Sequence, residues 1–176
     1  KDILDVLRQN GYGAVSLSTT DTKYGAVETF EDARKCAELF ASKAGQIDGI
    51  IVTLPNFGDE RGIAEAIKRS GLSVPILIQA EEDIAGHMKI DRRRDSFCGK
   101  ISACNNLRQA GIPFTLTRTH TVKATSPEFK ADLDRFAAVC RIIRGLKNVR
   151  FGAIGSRPAA FNTVRYSEKI LEFAGI

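Results

Sequence analysis

Four segments of the chain gather side chains able to do chemistry. The first, residues 53–60, offers in close succession the amide of Asn56, the ring of Phe57 and the carboxylates of Asp59 and Glu60. Such a set suits a sugar, whose hydroxyls take polar partners and whose C–H face takes an apolar platform. The same residues have a plainer use, in which Asp59 caps a following helix and Phe57 packs beneath the loop. Composition does not separate the two. The second segment, residues 79–95, carries Glu81, Glu82, Asp83 and His87. These groups can ligate a divalent ion, but their spacing matches no closed ligand pattern, so an acidic loop is expected. The third, residues 115–125, sets His120 among threonines, with no Ser, Cys or Asp placed as a triad partner. His120 therefore reads as a hydrogen-bonded structural residue rather than a general base. The fourth, residues 155–162, holds Arg157 between an expected strand end and helix start, where a guanidinium and helix amides face one anionic or hydroxyl-rich ligand. Its alternative is an ion pair at a domain junction. Gly152 and Gly155 lack the third glycine of a dinucleotide fingerprint, which excludes that site.

Loops of this kind bind ligands when they lie beyond the carboxyl ends of parallel strands. The chain alternates accordingly. Short β-branched and aliphatic runs at residues 14–17, 49–54, 74–78, 113–116 and 149–154 are each followed by a loop and a helical pattern. The expected fold is α/β: a Rossmann-like three-layer αβα arrangement with a mostly parallel sheet. Ile50, Ile51 and Val52 are apolar at consecutive positions, as in a strand buried on both faces, and that strand is expected at the centre. Thr29 and Asp32 form the sequence of a capping box, followed by a face of Phe30, Ala33, Ala37, Phe40 and Ala44 that should pack on the sheet. Ser126-Pro127-Glu128 opens a helix with the stripe Phe129, Leu133, Phe136, Cys140 and Ile143, stopping near Gly145. Asp59 is placed to cap a helix bearing Ile63 and Ile67, and Ser96 to start one bearing Phe97, Ile101, Cys104 and Leu107. The polar join at 145–150 marks a domain boundary. Residues 1–145 read as a first Rossmann-like domain, and residues 146–176 as the opening strand-helix unit of a second α/β domain.

Composition narrows the classes further. At 176 residues and 43% hydrophobic content, the chain can build one sizeable core, or one core and the start of another. It contains no apolar run long enough for a spanning helix and no secretory leader pattern, which argues against a membrane role. The net charge is +5, but its carriers alternate with acids along helices, so solvated faces are expected rather than a nucleic-acid surface. Arg92, Arg93 and Arg94 sit between Asp91 and Asp95, which favours local pairing or a subunit contact. The 4 cysteines form no CxxC pair and fall in helical stripes, pointing to reduced thiols and a cytoplasmic location. Lys1 is not an initiator Met, and residues 171–176 close a helix with no strand after it. The chain thus reads as the amino-terminal portion of a larger protein, with the first strand of its domain missing.

Four runs, IDGIIVTLPNFGDERGIAEAI, RRDSFCGKISACNNLRQAGIPFTLTRTHTV, ADLDRFAAVCRIIRGL and GAIGSRPAAFNTVRYSEKILE, together resemble the amino-terminal part of the L-fucose isomerase-like and L-arabinose isomerase-like sugar isomerases. The resemblance spans nearly the whole chain. It implies an enzyme that interconverts an aldose and a ketose through a cis-enediol with a divalent ion, usually manganese. It places the metal ligands and catalytic acids beyond Ile176, so that this portion alone is expected to be inactive and to bind no metal. It implies a homo-oligomer, trimer or hexamer, in which the first domain of one subunit covers its neighbour's pocket. By the same resemblance, the substrate-facing residues of this portion are Asn56 and Phe57 after the strand at 50–54, and Arg157 and Phe161 in the loop 157–162. Residues 48–53 and 112–116 also resemble periplasmic sugar-binding proteins and repressor effector domains. A sugar-binding or sugar-sensing domain is therefore the alternative, and a pure oligomerisation module a third reading.

Overall fold

Three aliphatic runs pair into a parallel sheet. The computed structural model describes residues 2–152, 154–155, 159–160 and 166–176. Within them β1 (Ile50–Leu54), β2 (Ile76–Ala80) and β3 (Thr115–Leu116) lie in the order β1-β2-β3. Both pairings are parallel, with Leu54 opposite Ala80 and Ile78 opposite Leu116, so the carboxyl ends of all three strands emerge along one edge. Residues next to each other on a strand face opposite ways, and the two faces are covered by different helices. Ile50, Leu54, Ile76, Ile78 and Ala80 pack against α3 (Glu60–Ser70) and α4 (Ser96–Gln109) through Ala64, Ile67, Ala103 and Leu107. On the other face Leu77 and Ile51 meet α1 (Asp2–Gln9) and α5 (Pro127–Leu146) through Val6, Phe129, Leu133, Phe136 and Cys140. The expected three-layer α/β architecture is therefore present. A short final helix, α6, spans Glu168–Phe173.

The helix starts follow local chemistry. Thr29 accepts from the Asp32 amide while Asp32 accepts from the Thr29 amide, a complete capping box at the start of α2 (Phe30–Ser42). Asp59 accepts from the Gly62 amide at 2.7 Å to cap α3, and Ser126 accepts from the Phe129 amide ahead of Pro127 at the first turn of α5. Among the described residues no helix is long and apolar enough to cross a membrane.

Several expectations are corrected. The central strand is β2, buried along its whole length, whereas β1 lies at the edge of the described sheet with Thr53 exposed. Residues 14–17 and the described part of 149–154 join no ladder. Leu17 turns instead to a cluster of Ala33, Cys36 and Ala66, and Phe151 and Ile154 stand exposed with no sheet beneath them. The α2 face packs mainly on α3 rather than on the sheet. Ala33, Cys36 and Ala37 are buried, Phe40 reaches the main core, and Phe30 stays exposed under the Arg69 guanidinium, 4.7 Å from its ring centroid. In α4 the buried face is Ser96, Gly99, Lys100, Ala103 and Leu107, which turns Phe97 and Ile101 outward. The α5 stripe is buried as far as Cys140, but Ile143 is exposed, and the helix runs through Gly145 to Leu146.

Candidate functional site

Because the three strands end together, the loops that follow them meet at one edge, and α4 is the element on which they converge. The first loop, residues 55–59, carries Asn56 and Phe57, both exposed, Phe57 at 45%. Its backbone lies directly on the first turns of α4: a Cβ at Gly99 would run into the carbonyl group of Phe57. Gly58, at φ +75°, makes the turn that a side chain there would block against Leu54. The Arg94 guanidinium adds a bond to the Pro55 carbonyl at 3.2 Å.

In the second loop, residues 81–95, several acids hold backbone. Asp83 accepts from the amides of Arg94 (2.9 Å) and Asp95 (3.3 Å). Glu81 accepts from the Ala124 amide at 3.2 Å, and its carbonyl accepts from the Ser96 hydroxyl. Arg93 pairs with Asp95 at 2.7 Å and Arg92 with Asp91 at 3.7 Å, so two of the three clustered arginines are paired locally. In the first loop Asp59 caps α3, and Glu60 accepts from Ser102 to tie α3 to α4. Among the described residues no three His, Cys, Asp or Glu side chains group to hold a metal ion. Glu81, Asp83, Asp59 and Glu60 thus each accept a bond that fixes a loop or joins two helices.

The third loop, residues 117–124, is fixed from beneath. Gln79, fully buried on β2, accepts from the Thr53 hydroxyl at 2.6 Å and donates to the Val122 carbonyl at 2.7 Å. The Lys100 ammonium donates to the Thr117 hydroxyl (2.7 Å) and the His120 carbonyl (2.9 Å). Burial pulls that ammonium below its ordinary range, with Cys104 and Asp132 opposing. The His120 ring rests against Phe97, centroids 4.9 Å apart, so an aromatic contact rather than a hydrogen bond places the imidazole.

Of the substrate-facing residues expected from sequence, Asn56 and Phe57 stand together at the carboxyl edge, while Arg157 and Phe161 lie outside the described residues. Sequence reasoning did not find Gln79, Gly99 or Lys100. For Gly99 and Lys100 a signal was present, a 3-1-3-4 spacing of Ser96, Gly99, Lys100, Ala103 and Leu107 that is one continuous helical face, but its first three members are not large apolar residues.

The structure defines the class as a three-layer α/β domain whose parallel strands bring an amide, an exposed ring and an anchored polar loop to one edge. Its family follows from comparison. The family model described as fucose/sulfoquinovose isomerase, N-terminal domain, matches residues 1–147, and the chain belongs to that family. No curated protein and no solved structure matches it. The family supplies the N-terminal domain of sugar isomerases.

Proposed function

We propose that this chain is the amino-terminal part of a cytoplasmic aldose–ketose isomerase working through a cis-enediol, and that its share of the work is to bind and cover the sugar. The supporting observation is the loop at 55–59. It presents Asn56 and a half-exposed Phe57 at the carboxyl edge while its backbone is seated on Gly99 of α4. An exposed ring on a rigid backbone offers the C–H face of a sugar a platform without an ordering cost, and the neighbouring amide offers a hydroxyl two-sided hydrogen bonding. Proton transfer and metal chemistry, with manganese, fall by the same resemblance to residues outside this chain. A symmetric oligomer placing this edge over a neighbour's pocket, with Arg157 and Phe161 approaching the sugar held in their own subunit, completes the proposal.

The test is an aldose-to-ketose assay on the full-length protein across a sugar panel, with manganese supplied and then chelated. Metal-dependent turnover is expected, and Phe57→Ala should raise KM by roughly five- to ten-fold, the equivalent of about 1 kcal/mol of ring contact. Tight sugar binding without metal and without turnover would move the assignment to a sugar-binding or sensing domain.

A further inference from the structure

An ammonium is strongly hydrated, and withdrawing it from water is costly unless hydrogen bonds replace the lost shell. Lys100 is 4% exposed, and it belongs to none of the ion pairs of the described residues. Of the charged or titratable groups, only Asp132 on α5 and Cys104 one turn along α4 act on it through space. Its two hydrogen-bond partners belong to one short stretch, the Thr117 hydroxyl and the His120 carbonyl. An aliphatic side chain of the same length would fill the space at less cost but could hold neither oxygen.

The 117–124 loop divides accordingly. Its second half is tied to β2: Val122 donates to the Ala80 carbonyl at 2.9 Å, Gln79 donates to the Val122 carbonyl, and Ala124 donates to Glu81. Its first half has the Arg118 amide on Asp132 of α5 at 3.0 Å, a long bond from the Thr117 amide to the Ile78 carbonyl at 3.4 Å and the Thr119 hydroxyl on the Thr121 carbonyl at 2.8 Å; beyond these it is held by Lys100 and by the Thr117 hydroxyl, which donates onward to the Thr119 carbonyl. Residue 120 is held twice from α4, by its carbonyl on Lys100 and by its ring on Phe97. We propose that Lys100 is a positioning residue whose ammonium sets residues 117–120 against the carboxyl edge of the sheet, fixing the third wall of the loop cluster that Phe57 opens. Solvent-facing groups on a loop hold one geometry only when a buried shell supports them, and Lys100, bonded at both residue 117 and residue 120, supplies that shell together with Asp132. The consequence for catalysis rests on the reading of this edge as a sugar pocket; the structural part does not.

The experiment compares Lys100→Met and Thr117→Ala with the unaltered full-length protein by amide hydrogen exchange. Both variants should exchange about ten-fold faster or more across residues 118–121, the scale of one lost bond to a charged group, while residues 122–126 and β2 keep their protection. Unchanged exchange at 118–121, or acceleration spread equally over β2 and α5, would reduce Lys100 to a filler of the core and overturn the proposal. Should Lys100→Met fail to fold, Lys100→Leu takes its place, because it too removes the ammonium, whereas Thr117→Ala also removes the donor to the Thr119 carbonyl and serves only as a companion. In the isomerase assay Lys100→Met should raise KM with kcat little changed. If the unaltered protein isomerises no sugar, the functional reading falls while the exchange result still decides the role of Lys100.

Discussion

At position 99 two general expectations oppose each other. Gly to Ala inside a helix normally gains about 1 kcal/mol because the unfolded chain loses freedom. Here the added methyl would meet the peptide group between Phe57 and Gly58, and backbone cannot rotate away as a side chain can. Steric displacement wins, and Gly99→Ala should destabilise by about 1–3 kcal/mol in urea unfolding and shift the 55–59 loop from α4. A gain in stability would show that the loop is not seated there. Cys36 supplies a pH-dependent counterpart. Burial pushes its thiol up from 9.0 to about 11. The folded state therefore holds the proton after the unfolded chain has lost it, and the contribution of Cys36 to stability is full below pH 9 and lost as pH rises through about 11. Cys36→Ala should flatten the fall in denaturant midpoint across that window relative to the unaltered protein.

Elements were legible where local chemistry decided them and not where neighbours did. The capping box at Thr29, the cap at Asp59 and the Ser126-Pro127 start depend on a few consecutive residues, and all three form as the sequence predicts. The centre of the sheet was misplaced for a physical reason. Consecutive apolar residues in Ile50–Leu54 report that helices cover both faces of a strand, not that strands flank both its edges. Conversely β2 contains Gln79, which looks like an exposed position but is buried because Thr53 and Val122 satisfy it. The buried face of α4 was missed on similar grounds, since a serine, a glycine and a lysine make contacts there that depend on loops distant in sequence. Caps also differ in what their loss should do. Ser126→Ala, on a helix whose face fills the sheet-side core, should lower global stability by about 1 kcal/mol. Thr29→Ala, on a helix that packs chiefly against α3, should instead speed amide exchange in residues 30–34 with a smaller effect on the global midpoint.

At the scale of the whole molecule, the groups at the carboxyl edge divide between those that hold its loops and those left exposed. Glu81, Asp83, Asp59 and Glu60 are all in the first group, each accepting from an amide or hydroxyl that fixes a loop or joins two helices. Asn56 and Phe57 are exposed at the same edge. The division makes a prediction about metal. If the isomerase uses a divalent ion held by residues outside this chain, chelation should abolish turnover while leaving amide protection in β1, β2, α4 and the 117–124 loop unchanged, because none of the bonds that set those elements involves a cation ligand. Exchange measured on the full-length protein with and without chelator, beside the activity assay, reads both consequences at once. A change in the protection of residues 81–95 on chelation, in either direction, would mean that Glu81 or Asp83 takes part in holding the ion. The loop acids would then belong to the metal site, and the role assigned to this unit would change from covering the sugar to holding the metal that activates it.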